Sequence, residues 1–229
     1  MSALKKKLNI DEYDAIIVGA GPAGLFAAFY MCENSEANIL IIEKGKGSLK
    51  RKCPMIKNNK CMKCRPCNIL CGVGGAGLFS DGKLNFIPKL GKTDLTQFMS
   101  IPQAQELINE TEQIFNKFGM DSIVYPTDME EAKNIRKRAK RYGIDLLIIK
   151  QKHLGSECLP GYISNIADHI KSKGVKLHTS EEVKDIIVEN GQAKGVVTSR
   201  KKYISDNIIL APGRIGADWV AKLAKKYGI

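Results

Sequence analysis

The segment from Tyr13 to Glu43, YDAIIVGAGPAGLFAAFYMCENSEANILIIE, restricts the fold more than any other part of this 229-residue chain. A short apolar run, Ala15 to Val18, leads into Gly19, Gly21 and Gly24 in G-x-G-x-x-G spacing. A helical apolar segment follows, and a second run, Ile39 to Ile42, stops at Glu43. The pattern predicts strand, tight turn, helix and strand, the opening unit of a doubly wound α/β fold. Gly19 frees the turn out of the strand. Gly21 removes a Cβ where a pyrophosphate approaches, and Gly24 allows close contact of helix and strand. The helix N-terminus offers unpaired N–H groups and the positive end of its dipole, and Glu43 stands where a carboxylate accepts from ribose hydroxyls. Together these residues predict a dinucleotide site.

With 44% hydrophobic residues the chain can bury a core, and no apolar run is long enough to span a bilayer. The start, MSALKKKLNIDEYD, lacks the apolar centre of a signal peptide, so a cytoplasmic protein without membrane attachment is expected. The 36 basic and 24 acidic residues give a net charge of +12. Its dense patches, 44–65 and 133–141, carry little aromatic interleaving for stacking bases, so nucleic acid is not the expected partner.

After Glu43 the composition shifts to Lys, Cys, Gly and Asn. Cys61, Cys64, Cys67 and Cys71 follow the C-x2-C-x2-C-x3-C spacing that holds a [4Fe-4S] cluster in bacterial ferredoxins. Thiolate zinc, a redox-active thiol pair and bystander cysteines are the alternatives. Next comes GVGGAGLFSDGKL, where Gly74, Gly75, Gly77 and Gly82 give a backbone that can lie against a flat or phosphorylated ligand, with Ser80 and Asp81 adding polar groups. Downstream, periodicity predicts helices over 102–118 and 128–142 and another ending at Gly174. An apolar strand is expected over Asp145 to Ile149, and a β-meander follows residue 175. Ile208 to Leu210 reads as a buried strand, broken at Ala211-Pro212-Gly213 and followed by a helix from Ala217.

VGAGPAG with its trailing IIEKG, the Cys-rich segment running into GGAGLFSDGKL, and IILAPGRIG resemble the two-dinucleotide-binding-domain flavoproteins, within them a family of uncharacterised bacterial FAD-dependent dehydrogenases. The resemblance implies FAD. Gly19, Gly21, Pro22, Ala23 and Gly24 would hold its pyrophosphate, Glu43 would stand at the adenosine ribose and the backbone near Val183 at the adenine, with Lys44 also among the FAD-binding residues. Ala211, Pro212 and Gly213 would pass beneath the dinucleotide, and the segment from Gly74 to Gly82 would approach the ribityl chain or flavin. It implies a Rossmann-like FAD-binding domain with an inserted α+β region: tail 1–12, FAD-binding segment 13–92, insert 93–175, return 176–216 and a further segment 217–229. The family is about twice as long, which implies that this chain is an N-terminal portion whose C-terminal half is missing, a shortened gene product, or half of a split enzyme. The expected activity is flavin-mediated hydride or electron transfer, with NAD(P) as candidate electron partner and no side chain assigned a catalytic role. The alternative is a metal-binding or interaction module on an inactive dinucleotide scaffold.

Overall fold

The computed structural model describes residues 11–228 and divides the chain into two compact units, one reaching Leu78 and resuming at Ile163, the other Phe79–Tyr162. The first unit begins with β1 (Asp11–Glu12), β2 (Ala15–Val18), α1 (Pro22–Asn34), β3 (Ile39–Glu43) and the short α2 (Met55–Asn58). The second contains β4 (Lys83–Asn85), β5 (Lys89–Leu90), β6 (Thr93–Asp94), α3 (Ile101–Lys117), β7 (Val124–Tyr125), α4 (Met129–Arg141) and β8 (Gln151–His153). From the boundary onward come α5 (Leu159–Ser172), β9 (Lys176–Thr179), β10 (Val183–Glu189), β11 (Gln192–Thr198), β12 (Lys202–Ile204), β13 (Ile208–Leu210) and α6 (Ala217–Tyr227).

The first unit is built on a parallel sheet in the order β13-β2-β3-β9. Every residue of β2 and β3 is buried, as expected for parallel strands covered on both faces. Beside it, β10, β11 and β12 form the antiparallel meander, with β1 added in parallel to β12. Asp11 and Glu12, expected in a solvated tail, pair with Tyr203 and Ile204, because Tyr13 next to them is buried in the core against Tyr203. The rest of that expected tail, residues 1–10, lies outside the described residues. Trp219 and Tyr227 of α6 pack on the same core, and Asp185 of β10 accepts from the Tyr227 hydroxyl at 3.0 Å and binds Lys226.

The second unit holds a three-stranded antiparallel sheet, β4-β8-β7, and the β5-β6 hairpin. Lys152 of β8 is buried there, donating to Asn116 Oδ1 at 2.6 Å and lying 3.4 Å from both Glu112 and Asp121. Such a cation stays inside only because carboxylates and an amide surround it. The expected strand Asp145 to Ile149 does not form. Strand pairing begins later, at Gln151, and residues 144–150 are irregular.

Candidate functional site

The turn between β2 and α1 has the geometry its glycines predict. Gly19 adopts φ +103°, a conformation side chains disfavour, and a Cβ there would lie 2.3 Å from the Ala211 carbonyl oxygen. At Gly24 a Cβ would fall 1.9 Å from the Gly19 carbonyl oxygen, so that glycine serves helix packing. At Gly21, by contrast, a Cβ would meet only Gly75 Cα, at an ordinary contact distance of 3.8 Å. It caps α1 without any side chain closing the helix end, and the first turn holds no acidic residue. Pro22 follows, where a missing N–H costs nothing. The result is an uncapped helix start suited to an anion.

This helix start opens into a cavity of about 740 Å³ walled by the first unit alone. Gly19, Gly21, Pro22, Ala23, Glu43, Lys44, Gly75, Val183, Ala211, Pro212 and Gly213 all line it. Gly74 stands behind the wall instead, donating to the Ala20 carbonyl at 2.8 Å, and neither it, Gly24 nor Gly77 is among the lining residues. Ser80, Asp81 and Gly82 fall in the second unit and do not line the cavity. They form a local turn into β4: Ser80 Oγ accepts from Gly82 N, Asp81 pairs with Lys83 at 2.9 Å, and the Gly82 carbonyl accepts from Leu154 N.

Glu43 is buried yet reaches the cavity. Its Oε2 accepts from Ala20 N at 2.9 Å, and its Oε1 from Gly45 N at 2.8 Å and Gly72 N at 2.9 Å. A carboxylate offers about four acceptor positions, so three amide bonds leave one, on Oε2, for a hydroxyl. Glu43 therefore fastens the β2–α1 turn, its own strand end and the glycine-rich segment to one another, a structural role that strand-end spacing does not reveal.

Arg51 is the counterpart that sequence reading missed. It is buried, and its guanidinium donates to the carbonyls of Asn68, Ile69, Val73 and Gly75 at 2.6 to 2.9 Å, with Gly72 at 3.4 Å. Burial pulls its pKa down from the usual value, while Glu43, Cys71 and Cys67 pull it up. One planar fork thus replaces a sheet or helix in giving residues 68–75 a fixed course.

The four cysteines are not gathered. Among the described residues no three Cys, His, Asp or Glu side chains stand together as a metal site. Cys61 is exposed, whereas Cys71 is buried in the cavity wall with its amide bonded to the Cys67 carbonyl at 2.8 Å. Burial pushes the Cys71 thiol up, against the opposing pull of Lys44. The arrangement does not fit the cluster or zinc site that the C-x2-C-x2-C-x3-C spacing of Cys61, Cys64, Cys67 and Cys71 suggests, because the Arg51 network spends this segment on shaping a wall.

Comparison with known proteins agrees with the architecture. The model of the Thi4 family matches residues 1–48. An uncharacterised protein of Clostridium beijerinckii is 25% identical over 204 residues, which are 89% of this chain and 31% of that protein. Among solved structures, L-amino acid deaminase from Proteus vulgaris superposes with a TM-score of 0.55 at 17% identity, covering 96% of this chain and 50% of that one. Glycine oxidase from Geobacillus kaustophilus gives 0.54 at 18% identity, with 96% and 59% covered. The chain thus spans half to three fifths of these two structures and about a third of the clostridial relative. No helix among the described residues is long and apolar enough to cross a membrane. The fold is the α/β, Rossmann-like dinucleotide-binding fold of these enzymes, on a parallel sheet with a β-meander.

Proposed function

We propose that the cavity binds FAD and that this chain is the dinucleotide-binding part of a flavin-dependent oxidoreductase. The observation that carries the reading is the meeting, in one cavity, of an uncapped helix start at Gly21 and a carboxylate, Glu43, with one acceptor position left. The first suits a diphosphate and the second a ribose hydroxyl. Bound there, FAD supplies hydride or electron transfer. The chain's own residues hold and orient it. The Ala23 amide faces the diphosphate from the first turn of α1 while Gly24 lets that helix pack closely, Lys44 adds a cation beside the ligand, Val183 offers an apolar contact for the adenine, and the Ala211-Pro212-Gly213 turn forms the floor.

The matches to L-amino acid deaminase, glycine oxidase and the Thi4 family support an oxidoreductase of this type. Polypeptide beyond this chain completes the flavin pocket, by analogy with the greater length of those structures. Titration with FAD, followed by quenching of flavin fluorescence, tests the proposal. Saturable binding that Glu43→Gln weakens about tenfold is expected, the equivalent of one charge-assisted hydrogen bond. Binding indifferent to that substitution refutes the site.

A further inference from the structure

In the second unit, β8 is the central strand, flanked by β4 and β7. Gln151 is paired on both sides, with Asn85 and with Tyr125. Upstream of Gln151 both ladders stop. On one side the last bond is Phe86 N to the Lys150 carbonyl at 2.9 Å, and Pro88 follows two residues on. On the other, Tyr125 is followed at once by Pro126. A proline has no N–H to donate, so each neighbour is cut short by its own sequence.

What continues past them is Ile144-Asp-Leu-Leu-Ile-Ile149, a segment with the composition of a buried strand. Among the described residues it joins no ladder, and Ile144 and Leu147 are 58% and 59% exposed. Nine of the protein's exposed large hydrophobic residues fall between Ile123 and Leu147. The helix just before the segment, α4, buries no side chain at all. Two of its cations are paired, Lys133 with Glu130 and Arg138 with Glu131. Arg136, Lys137, Lys140 and Arg141 make no ion pair among the described residues.

We propose that residues 144–149 are a docking edge for an extended strand of a partner polypeptide, apolar in its centre and acidic at the flank that meets α4. The Ile144 amide already donates to the Ala139 carbonyl at 3.1 Å; a strand supplies backbone donors and acceptors to residues 145–149, together with side chains to cover Ile144, Leu146 and Leu147. Carboxylates beside it would neutralise the four cations. A lipid surface fits less well, since extended backbone finds no hydrogen-bond partners in hydrocarbon. A second copy of the chain is also disfavoured. Antiparallel self-pairing centred on Leu146 and Leu147 places Lys150 of each chain opposite Gly143 of the other, near Lys140 and Arg141, and like charges destabilise such a ladder. The inference is independent of what occupies the cavity.

The test places a photocrosslinking amino acid at Leu147 of the full chain, expressed in its source cells, and reads the linked peptide by mass spectrometry. One partner polypeptide is expected, joined through an apolar segment with Asp or Glu next to it. In the purified complex, hydrogen exchange at amides 145–149 should slow at least tenfold relative to the free chain. Two variants confined to exposed positions, Leu146→Pro and the pair Lys137→Glu and Lys140→Glu, should each cut the crosslink yield at least tenfold with the helical circular dichroism signal retained. Crosslinks to lipid, to a second copy, to another part of the same polypeptide or to no polypeptide would overturn the proposal, as would unchanged exchange at 145–149 or a partner segment lacking acidic residues.

Discussion

Two apolar runs of nearly the same composition meet opposite fates in this protein. Ile39-Leu-Ile-Ile42 is at most 1% exposed, hydrogen-bonded to β2 on one side and β9 on the other. Leu146-Leu-Ile-Ile149 pairs with no strand on either side among the described residues, and Leu147 stands largely in solvent. Hydrophobicity is common to both. What separates them is supply of partners: β2 and β9 run alongside the first, while Pro88 and Pro126 end the strands that could have flanked the second. A run of β-branched and apolar residues is thus a demand for burial that the rest of the chain either meets or leaves open.

Substitutions can break this contrast, starting with the largest effect. Ile41→Ala removes a fully buried side chain from the sheet and should cost about 2 to 5 kcal/mol in denaturant unfolding of the chain. A loss below about 1 kcal/mol would mean that β3 is not the centre of the core. Arg51→Ala comes next, at about 3 kcal/mol, because several buried carbonyls lose a charged donor at once. Arg51→Lys should recover only part of that, since an ammonium cannot span the fork of acceptors. Protease nicking between Asn68 and Gly75 in the alanine variant would locate the damage.

A smaller effect concerns Asp185. Burial alone would raise its carboxyl pKa, yet the bonds from Lys226 and Tyr227 outweigh burial and hold it below the ordinary value. A carboxyl depressed on folding stabilises the protein above its unfolded pKa of about 3.9 and loses that contribution as pH falls through the folded value. The attachment of α6 to β10 should therefore loosen only below about pH 4, by about 0.5 kcal/mol given the exposure of the pair. Asp185→Asn should flatten that acid limb of the stability profile. Smallest of all, Leu147→Asp should change the stability of the isolated chain by no more than about 0.5 kcal/mol, because the side chain is already in water. A cost near that of Ile41→Ala would erase the comparison.

Much of the first unit is legible in the string because its determinants are local. The positive φ at Gly19 and the helix contact at Gly24 follow from spacing alone, and the buried β3 follows from four consecutive apolar residues. Arg51 was not legible. It sits between Lys50 and Lys52, both exposed, and only the three-dimensional course of residues 68–75 distinguishes the one buried cation in that run. Cysteine spacing and structure diverge for a related reason: spacing sets which sulfurs could meet, whereas the carbonyls bound to Arg51 and the amide bound to Glu43 decide where residues 68–75 actually run. The expected strand at Asp145 failed because a strand requires neighbours, and proline removed them.

The central claim concerns the cavity between the Gly21 helix start and Glu43, and isothermal titration of the chain with FAD and with the lone adenosine diphosphate moiety tests it most directly. The account predicts that both bind at the same site, competitively, and that blocking the helix start with Gly21→Glu abolishes both while the far-ultraviolet circular dichroism stays unchanged. Binding of neither ligand, or binding that survives Gly21→Glu, would contradict it.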